Sequence, residues 1–280
     1  MEDGKPLRVV DVGRFSADVG ELDWLFGRRR TSHGGARIHY QVEGEGPPLV
    51  LQHGFSESVV DWYEAGYVDA LRSDYRLILI DARGHGASDK PHDSDAYELE
   101  RRVADVVAVL DGLAIEKAVY WGYSMGGWIG FGTAKYARQR IRALVMGGQH
   151  PYPRSMEPLR QIIRRGLAKG SEAFVAAMEK MFGPETTERK ERLLAADLEA
   201  YLALARDRPG LDDIVPSMHL PCCLYVGETD PIYSEVKACS QYLPRATYFS
   251  LPGLSHCEAY ARSELVLPRV KKFLKSLKRS

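Results

Sequence analysis

Gly122-Tyr123-Ser124-Met125-Gly126 is the stretch whose reading decides this chain. It follows the apolar run 118–121 and opens a helical run of small residues that continues to Ala134. That succession is strand, sharp turn, helix. A serine on such a turn is held under backbone strain with its hydroxyl pushed outward, the geometry a nucleophile needs. The glycines two places before and two after it remove side chains that would clash where strand and helix cross so tightly.

A serine hydroxyl is a poor nucleophile near neutral pH and needs a base, with a third group to orient that base. The chain has eight histidines. Only His256 sits on a short, turn-rich loop directly after a late strand and before the last helix, so it is the candidate base. The orienting carboxylate belongs at another strand end. The run 222–226 leads into Gly227-Glu228-Thr229-Asp230-Pro231, where two acids compete. Asp230, on the turn that starts the next helix, is preferred, and Glu228 is the alternative. The strand 143–146 is followed by Gly147-Gly148-Gln149-His150, which offers no carboxylate. Acyl transfer also builds negative charge on a carbonyl oxygen, and two fixed backbone N–H groups stabilise it. The N–H of Met125, at the start of the elbow helix, and the N–H of Phe55, in His53-Gly54-Phe55, are the candidate donors. His53 is read as shaping that loop.

Around these residues the hydrophobic pattern is regular. Residues 37–42 alternate like a strand, and 49–52 and 75–80 read as short buried strands, the latter apolar on both faces as in a covered parallel sheet. A helix is predicted over 59–71. Another begins after Asp95 and Glu98, which match a capping box, and is placed to end at Gly112. Strands 118–121, 143–146, 222–226 and 246–251 follow, with a helix near 234–242 and a last one from about Glu264. The order βαβαβα, helical insertion, βαβα predicts an α/β fold with a doubly wound, mostly parallel sheet. Ligands bind beyond the C-terminal strand ends of such sheets, where the elbow, the His53 loop and the 81–89 loop converge. The expected organisation is an N-terminal extension over 1–34, a core over 35–150 and 216–280, and a helical cap over 151–215. Within the extension, Leu22, Trp24, Leu25 and Phe26 are read as a docking arm.

Five ordered motifs carry a resemblance over roughly residues 35–278. They are His53-Gly54-Phe55, Asp81-x-Arg83-Gly84-x-Gly86-x-Ser88, the elbow, Gly227-x-x-Asp230 and the final His256. In order and in type they resemble the α/β-hydrolase superfamily, in which the acid stands between serine and histidine in the chain. The resemblance implies a two-step, cofactor-free mechanism through an acyl-enzyme, with no metal, and a purely structural 81–88 loop. The loop 53–58 and the run 81–91 also resemble epoxide hydrolases and haloalkane dehalogenases. Those carry aspartate at the elbow, and Ser124 argues against both activities. Phe55 stands where cofactor-free haloperoxidase relatives commonly carry Trp. The single insertion is similar to the caps of small esterases, enol-lactonases and C–C bond hydrolases. The expected substrate is therefore a small ester or lactone. A thioesterase or C–C hydrolase on the same triad, and a receptor-like protein that keeps the triad without turnover, are the alternatives.

Within the cap, Phe174, Met178, Met181 and Phe182 fit helical spacing and are read first as cap core, then as pocket lining. Trp128 is read as packing. Arg154, Arg160, Arg164 and Arg165 are dense enough for an anion-binding rim, with a solvated helix face as the preferred reading.

The 280 residues suffice for one large domain with an insertion. Lys plus Arg and Asp plus Glu number 38 each, so no net field favours nucleic acid or an anionic membrane. No apolar run approaches a membrane span, and residues 1–8 lack a hydrophobic signal core. The basic 271–279 stretch is read as the wet face of a packed helix. Four cysteines at 222, 223, 239 and 257 lack metal-ligand spacing and are expected to be reduced, mostly buried thiols. A cytoplasmic monomer or homodimer is the expectation.

Overall fold

In the computed structural model, residues 29–30 and 36–277 are described. The proposed docking arm lies outside them. Strand β1 (Arg29–Arg30) pairs antiparallel with β2 (Arg37–Ile38). The main sheet has seven strands: β3 (Tyr40–Glu43), β4 (Pro48–Gln52), β5 (Arg76–Ile80), β6 (Ala118–Tyr123), β7 (Ile141–Gly147), β8 (Cys222–Gly227) and β9 (Ala246–Leu251). Their spatial order is β3-β5-β4-β6-β7-β8-β9. β3 runs antiparallel to β5, and every other junction in this sheet is parallel. The doubly wound, mostly parallel α/β sheet expected from the apolar runs is the observed one.

Alternate residues of each strand feed two apolar layers, because side chains in a strand point to opposite faces. Val50, Ile78, Tyr120 and Leu224 join the layer beneath α3 (Leu99–Gly112), α4 (Met125–Tyr136) and α9 (Tyr233–Tyr242). Leu49, Leu79, Trp121 and Tyr225 join the other, beneath α1 (Val59–Glu64), α2 (Tyr67–Leu71), α10 (His256–Ala261) and α11 (Ser263–Ser276). Cys222 and Cys223 follow the same rule: neighbours in the chain, they lie in different layers. Trp62, Tyr67 and Trp121 are fully buried and meet edge to face, with ring centroids 5.0 to 5.8 Å apart. Burying such a side chain contributes roughly 2–3 kcal/mol, with about 1 kcal/mol more per well-oriented aromatic pair.

Between β7 and β8 the chain forms α5 (Glu157–Lys169), α6 (Ser171–Phe182), α7 (Thr187–Leu194) and α8 (Leu198–Leu204). Their buried residues, among them Ile163, Phe174 and Leu198, merge with the first layer. The helical insertion therefore packs onto the sheet domain as part of one core.

Four local expectations need correction. The helix over 59–71 is two helices, because Gly66 takes a left-handed conformation (φ 77°) that an amphipathic pattern does not reveal. The 37–42 alternation splits into β2 and β3 around His39. Asp95 and Glu98 form no capping box: residues Ser94–Tyr97 coil into a 3-10 turn capped by Asp93, and α3 starts without a side-chain cap. The last helix is preceded by α10, so His256 opens a helix instead of sitting on a loop. Ser255 and Glu258 form a capping box there, which fixes the first turn.

Candidate active site

Three loops at the C-terminal ends of β4, β6 and β8, with the turn after β9, converge under the inserted helices. The sharpest is the elbow. Ser124 has φ 49° and ψ −111°, a conformation sparsely populated by any side-chain-bearing residue. A Cβ on Gly122 would lie 2.3 Å from the Gly126 carbonyl, and one on Gly126 would lie 2.1 Å from the Gln52 carbonyl oxygen. Only glycine fits at either place. The strain is over-determined by the surroundings. The Ser124 N–H donates to the Gly147 carbonyl at 2.9 Å, and its own carbonyl accepts from Gln149 Nε2 at 2.9 Å. Ser124 is thereby clamped to the end of β7 and to the segment after it.

His256 is fixed at three points. Its Nδ1 lies 2.6 Å from Asp230 Oδ2. Its carbonyl oxygen accepts from the Tyr123 hydroxyl, and its ring packs against Tyr123 with centroids 5.3 Å apart. Beside the ring lies Gly148 (φ 56°), where a Cβ would meet His256 Cε1 at 3.0 Å. A carboxylate partner assigns the Nδ1 proton to histidine, which leaves Nε2 as the basic nitrogen. Asp230 is buried, and its Oδ1 accepts the Ile232 N–H at 3.1 Å. Glu228, the competing acid, is exposed and accepts from the Ser250 hydroxyl. Gly227 permits this arrangement: a Cβ there would sit 2.1 Å from the Leu254 carbonyl, so the turns after β8 and β9 pack without a spacer.

Ser124, Asp230 and His256 line one cavity of about 440 Å³, roofed by Pro158, Leu159, Met181 and Phe182. Among the described residues no hydrogen bond joins the Ser124 hydroxyl to the His256 ring, as is common before a substrate tightens such contacts. Met181 and Phe182 face this cavity, whereas Phe174 and Met178 are buried in the core. The four apolar cap residues thus divide between lining and packing. Trp128 packs, buried in the first layer.

The loop after β4 presents its N–H groups unequally. Gly54 N–H donates to Glu57 Oε2 at 2.6 Å, and Ser56 N–H to His85 Nε2 at 3.1 Å. Among the described residues the N–H groups of Phe55 and Met125 have no acceptor. His53 supports this loop from within. Its Nε2 accepts the Ala82 N–H at 3.0 Å and its Nδ1 lies 2.7 Å from the Gly54 carbonyl. Burial holds its pKa below the usual imidazole value. The 81–88 loop is tied to itself and to its neighbours: Asp81 accepts from the N–H groups of Val59 and Ala87 and contacts His39 Nδ1 at 2.7 Å. Arg83 grips Asp105 through two 2.6 Å bonds.

Two features escaped the sequence reading. Glu57 stands beside Ser124 and His256 in a recess of about 40 Å³, with Glu185 and Arg189. Burial pushes its carboxyl up from the ordinary 4.5 to about 7, against the pull of Arg189. Arg189, from α7, pairs with Asp61 at 2.6 Å and Glu185 at 2.8 Å, tying the inserted helices to α1. The second feature is Arg208, which borders the main cavity with Arg154. Nothing in the pattern around Arg208 marks it, since its neighbours there come from distant parts of the chain.

A family model for the alpha/beta hydrolase fold matches residues 47–201, more than half of the chain. The chain belongs to the α/β-hydrolase family. This α/β hydrolase is 28% identical over 270 residues to a Bacillus subtilis protein with the provisional name 2-succinyl-6-hydroxy-2,4-cyclohexadiene-1-carboxylate synthase, covering 86% of this chain and 96% of that one. It is 35% identical over 125 residues to epoxide hydrolase 4 of Mus musculus, a match that spans 44% of this chain and 34% of that protein. The enol-lactonase of Burkholderia xenovorans LB400 shares the fold of this α/β hydrolase with a TM-score of 0.78 at 24% identity, over 88% of this chain and all of that one. Among the described residues no helix is long and apolar enough to cross a membrane.

Proposed function

We propose that this α/β hydrolase cleaves a small carboxylic ester or lactone through an acyl-enzyme on Ser124. The observation that carries the reading is the Asp230–His256 contact at 2.6 Å in a cavity shared with a serine on a strained elbow. A cavity of about 440 Å³ suits a small ligand.

The steps follow from the placement of the groups. Ser124 Oγ attacks the substrate carbonyl carbon as His256 Nε2 takes its proton. Asp230 steadies the imidazolium that forms and holds its ring in register. The oxygen of the tetrahedral intermediate gathers negative charge and takes hydrogen bonds from the N–H groups of Phe55 and Met125. Each such donor is worth about 3 kcal/mol in the transition state. Collapse expels the alkoxide, which His256 protonates. Water then attacks the Ser124 ester with His256 again as base, and the acid leaves. In a lactone the expelled alcohol remains tethered to the acid product.

The test is hydrolysis of p-nitrophenyl esters from acetate to decanoate by wild type and Ser124→Ala. Turnover that depends on Ser124 is expected, with an optimum chain length set by cavity depth. Equal rates in both proteins sink the reading and favour a ligand-binding protein that keeps the three side chains.

A further inference from the structure

Arg154 precedes α5 and Arg208 follows α8, and the two are joined by an isolated antiparallel bridge. Arg154 N–H donates to the Arg208 carbonyl at 3.0 Å, and Arg208 N–H to the Arg154 carbonyl at 2.9 Å. Residues that exchange both bonds in this way lie directly opposite, with side chains on the same face. Like charges in that relation repel; Arg154 is exposed at the rim and Arg208 half-buried beside it. Both residues border the cavity that holds Ser124 and His256.

Among the described residues no carboxylate answers them. Among the described residues neither guanidinium has a salt bridge. The acids nearby are committed elsewhere. Asp207 accepts from Arg160 and the Met156 N–H, Glu157 from Arg160 and Arg164, and Asp95 from Arg206. Arg160 and Arg164 are therefore paired along the helix, Arg165 is exposed on it, and Arg154 alone of the four borders the cavity that holds Ser124. Arg208 is held in place by the Trp128 ring, with its guanidinium carbon 5.7 Å from the ring centroid. Burial and the charge of Arg154 press its pKa down to about 9, the direction expected of a cation without a counter-ion. The same two cations, added to burial, keep His150 neutral with a pKa of about 4.

We propose that Arg154 and Arg208 form a carboxylate clamp, and that the ester or lactone cleaved at Ser124 carries a free carboxylate at its far end. This rests on the proposed hydrolase reading for the identity of the reaction and on the arginine pair for the substrate class. A half-ester of a dicarboxylic acid, or a lactone bearing a carboxylate side arm, places the anion between the guanidinium forks. The acyl carbon then lies at Ser124. Planar forks match a planar carboxylate in a bidentate way, which a lysine would not do.

Two measurements test the clamp. The first compares kcat/KM for mono-p-nitrophenyl glutarate with that for p-nitrophenyl valerate, which has a methyl group in place of the carboxylate. Wild type should favour the glutarate at least about tenfold, the scale of one charged hydrogen-bonding contact. Arg154→Gln plus Arg208→Gln should bring the ratio to about one, and Arg208→Lys should give an intermediate ratio that falls with added salt. The second measures glutarate binding to Ser124→Ala by calorimetry, with and without the arginine substitutions, and so needs no turnover. Affinity should weaken at least about tenfold when both arginines are replaced. A wild-type ratio near one overturns the clamp while leaving the hydrolase reading standing. Arginine-dependent glutarate binding without Ser124-dependent turnover does the reverse. Glutarate binding that is absent, or indifferent to the arginines, overturns the clamp, as does inorganic phosphate binding more tightly than glutarate.

Discussion

Asp230, in the turn after β8, and His256, the first residue of α10 after the adjacent parallel β9, sit 26 residues apart and meet with Oδ2 2.6 Å from Nδ1. The distance depends on the sheet, because β8 and β9 set the spacing of the segments that follow them. The rejected alternative, Glu228, lies two places earlier on the same turn and points its carboxylate to Ser250.

Asp230→Asn should therefore lower kcat by about 10⁴, since an amide at this position favours the wrong histidine tautomer. Glu228→Gln should stay within a few-fold of wild type. Steady-state kinetics on one activated ester separates the two. Comparable losses from both substitutions would overturn the assignment of Asp230.

Ser124→Gly should abolish turnover and make the protein more stable. Glycine adopts φ 49° without penalty, whereas a side-chain-bearing residue in such a region costs about 1–3 kcal/mol. A rise in Tm of a few degrees, read by calorimetry, is the expected outcome. An unchanged or lower Tm would show that the elbow stores no strain.

Gly148→Ala should damage catalysis more than stability. The added methyl meets His256 Cε1 and the Tyr123 hydroxyl, each at 3.0 Å, and φ 56° is itself costly for alanine. A displaced imidazole predicts a fall in kcat of about 100-fold. The backbone term predicts a loss of about 1–2 kcal/mol in urea unfolding. Wild-type kcat in this variant would mean that the ring has room to move.

Glu57 gives a pH dependence with a definite sign. Its carboxyl titrates near 7 in the folded chain against an ordinary 4.5. Between those values the folded state binds more protons than the unfolded state, so this group makes unfolding easier as pH rises through the window. Glu57→Gln can still accept from the Gly54 N–H and carries no charge to bury. Its stability relative to wild type should rise from pH 5 to pH 8, measured as the urea midpoint at each pH. A difference that stays flat over that range would place the Glu57 titration elsewhere.

The strands were legible because continuous apolar runs such as 77–80 have one use in a sheet covered on both faces. The elbow, Asp230 and His256 were legible because each lies within a few residues of the C-terminal end of a strand, where side chains project beyond the sheet. Gly66 was not, because the apolar stripe of Val59, Trp62, Val68 and Leu71 continues across the break. Glu57 and Arg208 were hidden for another reason. Neither is unusual in its local sequence, and each acquires its character from residues far along the chain: Glu57 from burial in the recess it shares with Met178, Phe182 and Glu185, and Arg208 from Arg154 opposite it.

Cys222 and Cys223 occupy successive places on β8, one in each apolar layer, both buried and free of disulfides. Burial raises both thiols, Cys223 to about 12, so neither reacts while its layer is closed. The chain thus carries two chemical clocks a single peptide bond apart. Alkylation timed during slow unfolding, then read by fragment mass, records which side of the sheet admits solvent first. One strand reports separately on the helices that hold the elbow and on those that hold His256.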